Sequence, residues 1–441
     1  MRKVSNWGNY PVVEGKMKAF REQEVQDDSS WIPRGMGRCY GDASLGQLML
    51  SNLKLNRMLS FDPQSGLLEC ESGVTFDDLL QVFLPKGWFP PVTPGTKYVT
   101  MGGALAADVH GKNHHVEGAI SRYIRSFKLL TPEGEMLTCS RERHSDIFWA
   151  TAGGMGLTGF VKSLVIQLKP VESSYISMQS VKAANLDEIL ELFDEFERAT
   201  YSVAWIDCMA AGKKMGRSIL MKGEHISKVD FPDKLKKHPL EVLHKQNLNV
   251  PVYFPSFTLN PLTVRAFNFF YYHKQLAGIR QNITTYDSFF YPLDAIHNWN
   301  RIYGKKGFTQ YQLVIPKSNG QKGLQQILKR ISQSGLGSFL AVLKLMGHDE
   351  SQGMLSFPME GYTLALDFPV SRKLFPFLDE LDQMVVDLGG RIYLAKDARL
   401  SAQMLAPMYP RLDEFRQVLE RTGSKGRLSS VQAKRLKIIP N

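Results

Sequence analysis

The sequence predicts an α+β protein of two parts, and three observations carry that expectation. The first third alternates short apolar runs with glycines, the pattern of strands joined by tight turns. After Lys169-Pro170 the glycine density falls and helical periodicity sets in. Further on, strand-like runs and helices mix without a strict strand-helix repeat. At 441 residues the chain also exceeds the size at which one core keeps growing. We expect one unit over 1–172, a second over 173–390, and a C-terminal segment, 391–441, that returns to the first.

In the first part, residues 48–51 and 66–73 read as strands. Residues 75–84 read as a helix, with Thr75 as its N-cap, Asp77 and Asp78 in the first turn, and Leu79, Leu80, Val82 and Phe83 behind them. Residues 127–139 form a hairpin turning at Pro132-Glu133-Gly134. In the second part, 185–199 is helical, with Leu186, Ile189, Leu190, Leu192 and Phe193 on one face. Beyond it, 311–315 and 361–368 read as strands and 323–335 and 372–388 as helices.

Composition excludes several classes. The 43% hydrophobic and 22% charged content is that of a folded globular chain, not of a disordered or fibrous one. Cys39, Cys70, Cys139 and Cys208 lie far apart without a C-x-x-C pair, which gives neither a zinc framework nor a disulfide pattern. We find no signal-peptide run and no membrane-length apolar stretch, so the expected location is the cytoplasm. The formal charge of +11 asks for an anionic partner. Residues 211–250 hold nine Lys/Arg against four Asp/Glu. After them come Tyr253, Phe254, Phe257, Phe267, Phe269, Phe270, Tyr271 and Tyr272. That combination suits a lipid-phosphate interface and peripheral membrane contact; the plainer alternative is a solvated basic loop followed by a buried apolar element.

The chemistry concentrates in three glycine segments. Residues 33–42, Pro-Arg-Gly-Met-Gly-Arg-Cys-Tyr-Gly-Asp, put three glycines within seven positions, which permits positive φ and an inward-turned nest of N–H groups, with Arg34 and Arg38 adding charge. Residues 93–112 join a Pro94-Gly95 turn to a small-residue stretch at Gly102, Gly103, Ala104, Ala106 and Ala107, where a flat ligand or another backbone can approach closely. Residues 154–159 spell a literal G-x-G-x-x-G. The residues before it look helical and those after it look like a strand, the reverse of a nicotinamide-binding motif. His110 and His114 have i, i+4 spacing, but Gly111 and Asn113 disfavour a helix there and no further ligand stands nearby, so no metal is expected. There is no hydrolase elbow and no Walker loop.

Taken together, residues 34–42, 108–115, 148–159, 291–294, 299–304, 310–312 and 395–399 resemble segments of the vanillyl-alcohol-oxidase family, most closely its polyprenyl-phosphoryl-ribose-oxidising branch. The resemblance implies a two-domain FAD-binding fold, with an α+β substrate domain built on an antiparallel sheet. It implies FAD contacts from Arg34, Gly35, Met36, Gly37, Arg38, Cys39, Tyr40, Gly41, Asp42, Ala43, Ser44, Gly95, Thr100, Met101, Gly102, Gly103, Ala107, Asp108, Val109, His110, Val161 and Tyr393. It places Lys396, Tyr40 and Gln312 in catalysis and Lys344, Tyr291, Gln310, Trp205, Thr363 and Ala365 around the substrate. Covalently flavinylated relatives carry a histidine where this chain has Arg38, so a non-covalent flavin is expected, with Cys39 the alternative tether. Thr363 and Ala365 depart from the asparagine and cysteine of mycobacterial members, which alters the pocket wall. The implied activity is oxidation of a secondary sugar hydroxyl on a polyprenyl phosphate, with the keto product passed to a short-chain NADH-dependent reductase. Two rivals are an oxidase of free sugars, alditols or aldonolactones, and a basic membrane- or nucleic-acid-binding protein without redox activity. For nucleic acid no helix-turn-helix, zinc-finger or RNA-binding pattern is present.

Overall fold

A strand of alternating character must bury one face and offer the other, and the largest sheet of this protein uses both faces differently. The computed structural model describes residues 1–25, 30–233, 238–243, 248–255, 257–348 and 351–439. The strands of this sheet are β12 (Tyr175–Ala183), β13 (Tyr201–Ile206), β14 (Ser218–His225), β16 (Ile279–Thr285), β18 (Phe308–Pro316), β19 (Ala341–Met346), β20 (Gly361–Pro369) and β21 (Arg391–Ile392). They lie in the order β16-β12-β14-β13-β19-β20-β18-β21, and neighbours run antiparallel. Leu313, Leu343, Leu364 and Leu366 are fully buried on one face, which the helices Gly320–Ser334 and Leu374–Asp387 cover. The register Gln310↔Asp367, Gln312↔Ala365, Lys344↔Thr363 and Trp205↔Val342 collects a polar set on the opposite face.

The N-terminal part holds two smaller sheets. One is built from β1 (Arg2–Val4), β2 (Val13–Ala19), β3 (Trp31–Arg34) and β4 (Leu48–Ser51) in the order β1-β2-β4-β3, with β4 parallel to both β2 and β3. The other is antiparallel, built from β5 (Met58–Phe61), β6 (Leu67–Glu71), β8 (Ile124–Leu130), β9 (Met136–Ser140) and β10 (Phe160–Gln167) in the order β5-β6-β10-β8-β9. Two short pairs, β7 (Trp88–Phe89) with β11 (Lys169–Pro170) and β15 (Leu248–Asn249) with β17 (Ile296–His297), complete the strands among the described residues. The helix Phe76–Phe83 begins with a full capping box, in which Thr75 accepts from the Asp78 amide and Asp78 accepts from the Thr75 amide. The expected helix over 185–199 stops earlier, spanning Leu186–Glu195; continuing it would stack Glu195 and Glu197 at the negative end of its dipole. The expected helices over 323–335 and 372–388 span Gly320–Ser334 and Leu374–Asp387. Part of the basic count over 211–250, namely Lys234, Lys236, Lys237 and Lys245, lies outside the described residues.

The C-terminal segment ties these sheets together. β21 edges the large sheet, Leu428 bridges Trp31, and the Val431 amide donates to the Leu45 carbonyl. A Cβ on Gly41 would lie 1.7 Å from the Asp397 carbonyl oxygen, so the first glycine loop and the segment after β21 meet backbone to backbone at a distance only glycine allows. Beside that contact, Arg435 donates to Asp42 (2.7 and 3.0 Å) and to Asp397 (2.7 Å). Burial raises the Asp397 carboxyl, but Arg435 and Arg399 outweigh it and hold it below the usual range. Removing the guanidinium would strand two buried carboxylates. Arg435→Met should lower unfolding free energy by about 3 kcal/mol, read as a lower denaturant midpoint, and adding Asp42→Asn should recover part of it; an unchanged midpoint would show that the clamp carries no load.

Candidate functional site

The first glycine loop is braced from behind. The Arg34 guanidinium donates to the Asn6 side-chain oxygen, to the Ser44 carbonyl (3.2 Å) and to the Ser5 carbonyl (3.0 Å), and it is buried. It shapes the loop rather than standing free as a cation. Arg38 lies with its guanidinium 4.3 Å from the Trp7 ring and 5.4 Å from Tyr98, a cation held between aromatic faces. Cys39 contacts the Ser44 hydroxyl (3.3 Å), and burial pushes its thiol pKa up. Of the three glycines expected to take positive φ only Gly37 does, at +64°; Gly35 and Gly41 serve close approach instead, so the loop is not the continuous nest the spacing suggests. Ala43 is buried, Met36 is exposed, and Asp42 is committed to Arg435.

The other two glycine segments converge on the first. A Cβ on Gly35 would lie 2.4 Å from the Thr100 hydroxyl. Thr100 caps the helix Met101–Ala106 by accepting from the Gly103 amide (3.2 Å). That helix buries Met101, Ala104 and Leu105 and leaves Gly102, Gly103, Ala106 and, just beyond it, Ala107 half-buried. The Gly153 and Met155 amides donate to the Leu105 and Ala106 carbonyls (3.1 and 2.9 Å). The G-x-G-x-x-G therefore is a helix-to-strand turn, between Ser145–Thr151 and β10, packed on that helix. Asp108, at φ +41°, accepts from the Ser121 amide and from the hydroxyls of Ser351 and Ser356, fixing the turn that delivers His110. Val109 and Val161 are buried, the first beside His110 in sequence and the second on β10, and Gly95 is exposed, with nothing within 4 Å of the place a Cβ would take.

His110 joins these segments to the polar face of the large sheet. The Gln312 amide group donates to His110 Nε2 (3.0 Å) and to the Thr363 hydroxyl (3.3 Å). Burial, with Lys344, His114 and Lys396 adding to it, holds the imidazole pKa well below the usual value, so the ring is neutral. Because Nε2 accepts, the proton sits on Nδ1, a buried donor with no hydrogen-bond partner among the described residues. The Asn113 carboxamide oxygen is likewise buried without one.

Around this junction the sheet gathers cations and one carboxylate. The Lys396 ammonium lies 4.0 Å from the centroid of the Tyr40 ring, and the Tyr40 amide donates to the Ala395 carbonyl (3.1 Å). Burial lowers the Lys396 pKa to about 8 against the opposing pull of Asp367 and Cys39. Burial raises the Asp367 pKa to about 7, opposed by hydrogen bonds from Gln310 (2.7 Å) and the Tyr303 hydroxyl (3.2 Å) and by Lys396. Lys344 falls to about 7 through burial and the charges of Lys396 and Lys112. Lys112, which donates to the Phe289 carbonyl, also falls to about 7 through burial. Tyr393 stacks on Phe357 (4.6 Å), and its hydroxyl donates to the Ala107 carbonyl (2.9 Å). Ala365 lies in register with Gln312.

Two expected substrate residues have structural partners. The Tyr291 hydroxyl bonds to the Thr93 hydroxyl, anchoring the second glycine segment, and the Trp205 indole donates to the Phe339 carbonyl (3.2 Å). Sequence reasoning passed over Asp367, Lys112, Tyr303 and Phe357. Asp367 carried a readable signal, a lone carboxylate inside the apolar run Leu364-Ala-Leu-Asp-Phe368; Phe357 carried none.

A family model described as an FAD binding domain matches residues 17–140. The chain is 38% identical over 420 residues to decaprenylphosphoryl-beta-D-ribose oxidase of Mycolicibacterium smegmatis, across 92% of this chain and 89% of that protein. It is 33% identical over 371 residues to an uncharacterized protein in the mprA 5' region of Streptomyces coelicolor, across 82% of this chain and 100% of the relative. A shorter likeness, 27% over 156 residues, covers 34% of this chain and 33% of a D-lactate dehydrogenase of Anaerostipes hadrus.

The residues present fit FAD. Buried donors and acceptors without a hydrogen-bond partner among the described residues, at Arg38 Nε, His110 Nδ1 and Asn113 Oδ1, with the small-residue helix Met101–Ala106 and the open side of Gly95, suit a flat group with polar edges and a diphosphate. With 38% identity to a ribose oxidase along most of both chains and an FAD-domain match added to that geometry, the chain belongs to the vanillyl-alcohol-oxidase-type FAD-binding oxidoreductases and is closely related to decaprenylphosphoryl-β-D-ribose oxidase.

Proposed function

We propose that this chain oxidises the C2' hydroxyl of a polyprenyl-phosphoryl-β-D-ribose to a ketone, the first half of an epimerisation that a short-chain NADH-dependent reductase completes for cell-envelope glycan synthesis. The observation that carries this reading is the Gln312–His110 hydrogen bond, because it sets the polar face of the large sheet, with Lys396 and Lys344, against the glycine segments. The name of the mycobacterial relative supplies the substrate class. FAD, when bound, supplies the two-electron acceptor for the C–H bond. The residues proposed to hold it are the loop from Arg34 to Ser44, Gly95, Thr100 to Gly103, Ala107 to His110, Val161 and Tyr393. Of these, Arg34, Asp42 and Asp108 act through the backbone they brace.

Non-covalent attachment is the reading the loop favours. Arg38 offers no nucleophile, and the Cys39 thiol is kept protonated by burial. Acid precipitation should release the flavin and leave a colourless pellet; a yellow pellet would assign a covalent tether.

In the chemical step the chain's residues orient, exclude water and hold charge. Lys396 donates to the reacting hydroxyl and stabilises alkoxide character as the proton leaves, while Asp367 favours its charged form. Tyr40 and Gln312 fix its position, and Lys344 pairs with the substrate phosphate. Gln310, Trp205, Tyr291, Thr363 and Ala365 form or support the wall, Tyr291 by pinning Thr93. Anaerobic mixing with polyprenyl-phosphoryl-ribose should bleach the flavin; bleaching by free sugars or alditols alone would favour an oxidase of those compounds instead.

The lysines of the site give two further outcomes. Lys396→Ala should slow flavin reduction by about 100-fold or more while FAD stays bound, and a normal reduction rate would remove Lys396 from the chemistry. Lys344, at about 7 when free, is raised by a bound phosphate. Substrate binding at a pH of about 8 should therefore take up a proton, and affinity should fall as pH rises through the free value of about 7. Calorimetry in buffers of different ionisation enthalpy reads this uptake, and Lys344→Met should reduce it; an unchanged uptake would remove Lys344 from phosphate binding.

A further inference from the structure

The helix Pro261–His273 is built inside out. It buries Val264 and Asn268, and the Asn268 carboxamide donates to Asp207 (2.7 Å), which is itself held by Arg217. The apolar side chains face outward instead: Leu262 is 77% exposed and Phe270 70%, with Phe267 and Phe269 beside them. Phe257 before the helix and Leu276 after it are 74% and 93% exposed. An amphipathic helix in water normally turns such residues inward, so this surface asks for an apolar medium. The stretch between Glu241 and Asp287 contains no acidic residue, while Arg265, Lys274 and Arg280 are exposed on it. The plainer expectation from sequence, a buried apolar element, does not describe this helix.

We infer that this face docks on an anionic lipid bilayer. Aromatic side chains enter the acyl boundary, and the three cations meet lipid phosphates. Among the described residues no helix is long and apolar enough to cross a membrane, so the contact is peripheral. The face is also continuous with the site. Phe267 packs on Phe339 (5.3 Å), Phe339 on Tyr303 (5.8 Å), and the Tyr303 hydroxyl reaches Asp367; Tyr271 packs on Trp205 (4.6 Å). On the proposed function, which this last point rests on, the surface lets a lipid-linked sugar enter while its chain stays in the bilayer.

The test is flotation of the FAD-loaded full chain with vesicles of phosphatidylcholine mixed with an equal part of phosphatidylglycerol. The chain should float with these vesicles, weakly with phosphatidylcholine alone, and less as salt rises. Phe257→Ser/Leu262→Ser/Phe270→Ser, and separately Arg265→Glu/Lys274→Glu, should each weaken binding by about tenfold or more, with circular dichroism and bound FAD unchanged. A wild-type chain that stays with the pellet overturns the proposal, as does equal flotation of all variants. A dimer in light scattering that the triple serine variant splits would assign the face to a second copy and overturn it too. Flavin reduction by a water-soluble short-chain analogue should be the same in wild type and both surface variants, so a failed oxidation reading and a failed docking reading are told apart.

Discussion

The meeting of Gly41 with the Asp397 carbonyl, secured by Arg435 between two buried carboxylates, is the constraint on which the site depends. It fixes the first glycine loop against the segment that carries Tyr393 and Lys396. Because the Tyr393 amide also donates to the Gln312 carbonyl (2.9 Å), the position of the large sheet is set by the same contact. The first glycine loop, Lys396 and the polar face of the large sheet therefore share one frame. Any side chain at position 41 would push the loop and the lysine apart.

Burial then sets the electrostatics of that frame. Lys396, Lys344 and Lys112 are all pulled below the ordinary lysine range and Asp367 above the ordinary carboxylate range, each first by desolvation. Such a cluster holds its charge weakly until an anion arrives. The neutral His110, accepting from Gln312 at one nitrogen, is left with a single buried donor. Together with Arg38 Nε it offers a donor to a group that carries polar edges and a diphosphate.

Local chemistry was legible in the sequence and long-range pairing was not. The Thr75 cap, the positive φ at Gly37 and the reversed context of the Gly154–Gly159 turn all depend on neighbouring residues, and the structure agrees with them. Arg34 looked like a free phosphate cation because Asn6, which engages it, lies 28 residues away. Asp42 looked like part of the nest because its partner, Arg435, lies 393 residues away. The aromatic run after Tyr253 left a lipid-facing surface and a buried element both open, and the Asn268–Asp207 bond with buried Val264 reveals which side of that helix faces in. Asp367 and Lys396 come together through sheet register and a tail, neither of which periodicity encodes.

If three separated glycine segments, locked by the C-terminal tail, hold one FAD, then titrating the flavin-free protein with FAD while following flavin fluorescence should show saturable binding of one FAD per chain, with the yellow absorbance of a flavoprotein. A colourless protein that leaves flavin fluorescence unchanged throughout the titration would contradict it.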